Sequence, residues 1–122
     1  MERIIIAEDN KLVLETIFHS LKREGYEILK ANDGKECIDL LEKNEVDLII
    51  TDLYMPYING HEVISIVRDE HKKKTPILVL SAAGAEAIVL KAFELGADDF
   101  MVKPFSLVEL NVRVRKLLSA RK

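Results

Sequence analysis

Short apolar runs alternate along the whole chain with stretches in which apolar residues recur at helical spacing. Five runs predict strands: Arg3 to Ala7, Tyr26 to Ala31, Val46 to Thr51, Ile77 to Leu80 and Asp99 to Val102. The first, third and fourth are apolar at nearly every position, the pattern of parallel strands covered on both faces. The second and fifth carry more polar positions and are expected nearer the sheet edges.

The intervening segments predict helices. Leu14, Ile17, Phe18 and Leu21 follow the i, i+3, i+4, i+7 rule, with Asn10 placed to cap the start and Gly25 to end it. Asp33 with Glu36 forms a capping pair for the second helix, whose apolar stripe is Cys37, Ile38 and Leu41. Gly60 precedes the third, where Val63, Ile64 and Val67 keep helical spacing. The fourth runs from about Ala85 to Leu95 and stops at Gly96. For the last, Ser106 and Glu109 make a capping box, Phe105 is placed to staple onto Leu110, and the inward stripe reads Leu107, Leu110, Val114, Leu117. Strand and helix pairs joined by right-handed crossovers give a doubly wound parallel α/β sheet, with its site beyond the carboxyl ends of the strands.

Composition narrows this without redirecting it. The 122 residues, 48% hydrophobic and 32% charged, fit one domain spanning 1–122. A formal net charge of -3 argues against nucleic-acid binding by this domain, because duplex affinity rests on phosphate neutralisation. The single cysteine, Cys37, excludes an internal disulfide, and His19, His61 and His71 share no ligand spacing with it. Met1-Glu2-Arg3 and four apolar residues are too short for a signal sequence or a membrane span, so a cytoplasmic location is expected.

The chemistry lies at the strand ends. After the first strand, where a nucleotide-binding fold places glycines, this chain has Glu8-Asp9. Two carboxylates repel phosphate and attract a hard cation, with Mg²⁺ the abundant intracellular candidate. Asp52 ends the third strand the same way. Taken singly, Glu8 or Asp9 is equally a helix cap, Asp52 a turn former before Pro56, and Lys103 an ordinary surface lysine.

The run Asp52-Leu53-Tyr54-Met55-Pro56-Tyr57-Ile58-Asn59-Gly60 resembles the phosphoacceptor motif of receiver domains of two-component response regulators. Family-like signatures also stand in order elsewhere: Glu8-Asp9, Ser81-Ala82-Ala83-Gly84 after the fourth strand, and Lys103-Pro104 after the fifth. The resemblance implies a flavodoxin-like (βα)5 sheet of order 2-1-3-4-5. It implies that Asp52 is phosphorylated by a partner histidine kinase or phosphotransfer protein, and that Glu8, Asp9, Asp52 and the Tyr54 carbonyl hold Mg²⁺. Lys103 and Ser81 would contact the phosphoryl group, Ser81 and Phe100 would act as the switch pair, and Tyr54 and Ala83 would line the path. Phe100 reads equally as a sheet aromatic.

The last helix resembles that of the winged-helix transcription-regulator subfamily, which implies a phosphorylation-enhanced homodimer through helix 4, strand 5 and helix 5. There Lys91 would meet Glu109, and Asp98 or Asp99 would meet Arg113, across a two-fold axis, unless those charges are simply solvated. The downstream effector is not read from these residues. Two other functions stay open. A small aspartyl-nucleophile phosphatase or phosphotransferase usually needs a second acid where this chain has Tyr54, and an inactive interaction module would normally have lost an acid or the lysine.

Overall fold

The computed structural model describes residues 1–82 and 84–120. Ala83, one of the path-lining positions, lies outside the described residues. Strands β1 (Arg3–Ala7), β2 (Glu27–Ala31), β3 (Leu48–Asp52), β4 (Ile77–Ser81) and β5 (Asp99–Val102) form one parallel sheet ordered β2-β1-β3-β4-β5. The two more polar strands are the edges, as the pattern predicts. Helices α1 (Lys11–Arg23), α2 (Gly34–Lys43), α3 (Gly60–Ser65), α4 (Glu86–Leu95) and α5 (Leu107–Ala120) connect and cover the strands. Among the described residues, no helix is long and apolar enough to cross a membrane.

Period-two alternation of the strands divides the core into two halves. Ile4, Ile6, Leu48, Ile50, Leu78 and Leu80 face α1 and α5. Ile5, Ala7, Ile49, Ile77 and Val79 face α2 and α3, together with Ala92 of α4. Each fully buried Ile or Leu contributes about 1.5–3 kcal/mol, so the central strands hold the sheet and fix where its carboxyl ends stand.

Helix boundaries follow the predicted caps with informative departures. Asn10 accepts from the Val13 N–H, and Gly25 lies beyond the end of α1 at φ 99°. Asp33 accepts from the Glu36 N–H, but Glu36 returns its bond to the Asn32 N–H, one residue earlier than a capping box requires. Gly60 is the first residue of α3, and Asn59 with Glu62 forms the full reciprocal box. After Ser65 the helix widens into a π-helical turn, Ile66–Glu70, which swings Arg68 toward the amino ends of β4 and β5.

In α5 the buried stripe is Leu110, Val114 and Leu118, so Leu118 replaces the predicted Leu117 and Leu107 is largely exposed. Ser106 accepts from the Glu109 N–H, while the Glu109 carboxylate turns to Arg113 instead of closing the box. Cys37 is fully buried, and burial, helped by the Asp33 charge, pushes its thiol up to about 12. That is the inert packing role expected of it.

Candidate functional site

Register brings the chemistry together. Glu8 follows the last residue of β1, Asp52 ends β3, Ser81 ends β4 and Lys103 follows the last residue of β5. Asp52 pairs with Leu80 and Ser81 with Val102, so the four positions stand side by side on one sheet edge. Backbone bonds knit that edge: Glu8 N–H to the Ala31 carbonyl at 3.0 Å, Leu53 N–H to Leu80 at 3.2 Å, and Lys103 N–H to Ser81 at 2.8 Å.

Glycine permits the approach of α3 to this edge. A Cβ on Gly60 would stand 2.5 Å from the Asp52 carbonyl oxygen and 2.7 Å from the Leu53 Cα. The glycine that ends the Asp52 motif is therefore a steric requirement for seating α3 against β3.

Glu8, Asp9 and Asp52 each offer a carboxylate oxygen, and the three lie within 4.8 Å of one another. Glu8 is 2% exposed and Asp52 7%, whereas Asp9 is exposed and opens the cluster to solvent. At these separations each like-charge pair opposes its neighbour by about 3 kcal/mol at an effective dielectric near 20. Lys103 offsets part of this: its Nζ lies 2.6 Å from Glu8 Oε1 and 3.2 Å from Asp52 Oδ2. The remaining oxygens are held too, Asp52 Oδ1 by the Leu53 N–H at 2.7 Å and Glu8 Oε2 by the Asn10 N–H at 3.0 Å.

Burial raises the Glu8 carboxyl above its ordinary value, and the nearby Asp52 charge adds to the rise, against the bonds from Lys103 and Asn10. Burial opposes the charged form of Lys103 as well, but its bond to Glu8 and the charges of Asp52 and Glu8 prevail and raise its pKa. The cluster is thus an acid-rich pocket with one resident ammonium. Three hard oxygen donors with one open side fit a small divalent cation such as Mg²⁺.

The other predicted residues are placed as follows. Tyr54, two positions beyond Asp52, is 54% exposed. Phe100 is half-buried on β5 and packs against the core cluster under α2 and α3. On the α4, β5 and α5 face, Arg113 pairs within its own chain with Asp99 at 2.8 Å and Glu109 at 3.0 Å. Asp98 turns instead to Arg68, at 2.8 Å, and to the Ile77 N–H. Lys91 is exposed on α4. Two residues that the pattern does not single out are Arg68 and Tyr57, the latter at φ 70° in the turn after Asp52. Pro56 followed by a non-glycine residue fits an unstrained type I turn equally well, so the sequence carries no signal for this angle.

The family model for the response regulator receiver domain matches residues 4–115, and the chain belongs to that family. It is thus a receiver domain of two-component signalling. The chain is 37% identical over 117 residues to the alkaline phosphatase synthesis transcriptional regulatory protein PhoP of Bacillus subtilis, covering 96% of this chain and 48% of that protein. It is 35% identical over 118 residues to the transcriptional regulatory protein CpxR of Escherichia coli, covering 97% and 50%. The chain therefore spans about half the length of these curated relatives. Among solved structures, the receiver domain of the Francisella response regulator 1452 superposes with a TM-score of 0.94 at 32% identity, over 100% of both chains. The chemotaxis response regulator CheY4 of Vibrio cholerae gives 0.89 at 30% identity, over 96% of this chain and 98% of that one.

Proposed function

We propose that Asp52 accepts a phosphoryl group from a partner histidine kinase or phosphotransfer protein in a Mg²⁺-dependent reaction, and that this alters the face built by α4, β5 and α5. The observation that carries the reading is the convergence of Glu8, Asp9 and Asp52 at the carboxyl ends of the strands, with Lys103 against Glu8 and Asp52. An Asp52 oxygen attacks phosphorus, the bond from phosphorus to the donor nitrogen or oxygen breaks, and the leaving group departs with the bond's electrons.

Asp9, Asp52 and the Tyr54 carbonyl would hold the Mg²⁺, whose charge would offset that gathering on the equatorial oxygens. Both Glu8 oxygens already have partners, Lys103 and the Asn10 N–H, which favours a role for Glu8 through water. Lys103 supplies a positive charge to the transferred group, and Ser81, ending the neighbouring strand, supplies a hydroxyl donor. The domain promotes only its own phosphorylation and dephosphorylation, in a cytoplasmic setting. Incubation with acetyl phosphate and Mg²⁺ is expected to add one phosphoryl group, mapped to the Asp52 peptide and abolished by EDTA. Labelling at another residue, or labelling indifferent to EDTA, would sink the assignment.

Leu90, Phe93, Val102, Val108 and Val112 expose an apolar surface across α4, β5 and α5. We assign it to a phosphorylation-enhanced homodimer in which Arg113 and Glu109 exchange their partners within the chain for Asp99 and Lys91 of a second copy. Exposed pairs are worth roughly 0–1 kcal/mol each, so the exchange is nearly neutral. With Asp98 engaged by Arg68, Asp99 is the acid better placed for Arg113. Sedimentation should show self-association that rises on phosphorylation and weakens in Arg113→Ala; a monomer in both states removes the proposal.

A further inference from the structure

The turn after Asp52 holds a strain that the fold does not use. The Ile58 N–H donates to the Pro56 carbonyl at 2.9 Å, closing a three-residue turn whose centre, Tyr57, sits at φ 70°. Three-residue turns of this hand are rare and strained for any residue with a Cβ, and glycine takes the conformation freely. Its neighbours have evident roles: Met55 and Ile58 pack against the core cluster below, and the Gly60 N–H closes back on the Leu53 carbonyl at 2.8 Å.

Tyr57 does not. Tyr57 is 80% exposed, so little packing offsets the backbone strain, and among the described residues its side chain has no aromatic or hydrogen-bonding partner. Tyr54, three residues earlier, is exposed as well. Strain kept at a functional rim without return to the fold points to a contact outside the chain.

We infer that Tyr57, with Tyr54 three residues before it, is the aromatic contact by which this receiver grips the protein surface presenting a phosphohistidine to Asp52. The inference rests on the reading of Asp52 as phosphoacceptor. Asp52 is only 7% exposed at the floor of the site. A phosphorus atom carried on a protein side chain reaches it only if the donor's surface closes over the rim, where the 54–57 turn stands. Acetyl phosphate carries no such surface and needs no such contact. Tyrosine suits such a contact, because it supplies large amphipathic area while losing little rotamer freedom, and its ring face takes an apolar or cationic side chain flanking the phosphohistidine.

The test compares Tyr57→Gly and Tyr57→Phe with the unmodified chain, using acetyl phosphate and a phosphorylated histidine-kinase core that labels the unmodified domain. The glycine variant should melt at the same or a higher temperature, since relief of strain opposes the added freedom of the unfolded chain. Its labelling by acetyl phosphate should change less than about twofold, while kcat/KM for transfer from the kinase core falls about tenfold through KM. Tyr57→Phe, which keeps the ring, should restore transfer. Equal transfer to the glycine variant overturns the inference, as does a melting temperature lowered by more than about 5 °C, which would make the ring structural. A defect confined to self-association would assign the ring to a second copy and also overturns it. Failure of acetyl phosphate to label the unmodified chain strikes instead at Asp52 as acceptor.

Discussion

Asp52→Asn is expected to abolish labelling by acetyl phosphate, a fall of at least about a hundredfold, since removing a covalent nucleophile leaves only background chemistry. The substitution separates chemistry from folding because the side-chain amide keeps the size and oxygen of the carboxylate. The Leu53 N–H, which donates to Asp52 Oδ1 at 2.7 Å, retains an acceptor. What disappears is the negative oxygen that faces Lys103 at 3.2 Å.

Electrostatics makes a second readout available. Asp52 is attracted by one ammonium and repelled by two carboxylates whose oxygens lie within 4.8 Å, so its removal relieves repulsion as it loses attraction. The melting temperature should move by no more than a few degrees, while Mg²⁺ affinity, which depends on the acids, falls about tenfold or more. Lys103 then has Glu8 as its remaining buried counter-ion. Labelling as strong as that of the unmodified chain would remove Asp52 as acceptor, and unchanged Mg²⁺ binding would remove it as a ligand.

What the chain discloses in advance is governed by periodicity and by local bonds. Which strands are central and which are edges follows from which are apolar at every position, whereas the order itself is an implication of the family resemblance. Asn10, Asp33 and Ser106 cap as predicted, through bonds to amides three residues on, and Asn59, which the spacing does not single out, does the same for α3. The acid cluster is legible because Glu8, Asp9 and Asp52 stand at strand ends, and a parallel sheet collects its carboxyl ends on one edge. Less accessible is where a long side chain goes when it has a choice. Spacing alone has Glu109 close its own cap, yet it turns to Arg113, a charged partner one helical turn away.

Leu117 and Leu118 are both apolar, and only the seating of α5 on the sheet decides that Leu118 is the buried one. The family resemblance implies that Lys103 is a charge for a phosphoryl group; that it also neutralises Glu8, a nearly fully buried acid, depends on burial that one sequence does not reveal. Tyr57 and Arg68 escape the pattern for related reasons. A backbone angle leaves no mark on hydrophobic pattern, and the partners of Arg68 are mostly loop carbonyls, of Lys73, Thr75 and Gly96, which no side-chain pattern marks.

Arg68→Ala should lower stability by about 2–4 kcal/mol, or on the order of 10 °C in melting temperature, without disabling Asp52. The π-helical turn places this side chain between two loops, the one before β4 and the one before β5. Its Nη1 donates to the Lys73 carbonyl at 3.0 Å and the Thr75 carbonyl at 2.7 Å, Nε and Nη2 donate to the Gly96 carbonyl at 3.1 and 2.9 Å, and Nη2 meets Asp98 at 2.8 Å. Alanine would strip the donor from three carbonyls at once and release Asp98, which also holds the Ile77 N–H. The ion pair alone contributes little, because the Asp98 side chain is 42% exposed; most of the loss comes from the unsatisfied carbonyls. Lysine should not rescue, since a point charge cannot donate along four directions from one plane.

Position decides what survives. Gly96, at φ 118°, ends α4, and Asp98 precedes β5, so the loosened segment lies at the amino ends of β4 and β5. The acids stand at the opposite ends of the strands. Labelling by acetyl phosphate should therefore stay within about threefold, while amide exchange quickens at the end of α4 and the start of β5. Because Ala92 is the one fully buried residue of α4 and Ile88 and Leu95 pack on the core only in part, the loss should spread along the helix toward Glu86. A lysine variant as stable as the unmodified chain, or exchange that quickens uniformly across the sheet, would show that Arg68 does not act as the local tie between α4 and β5.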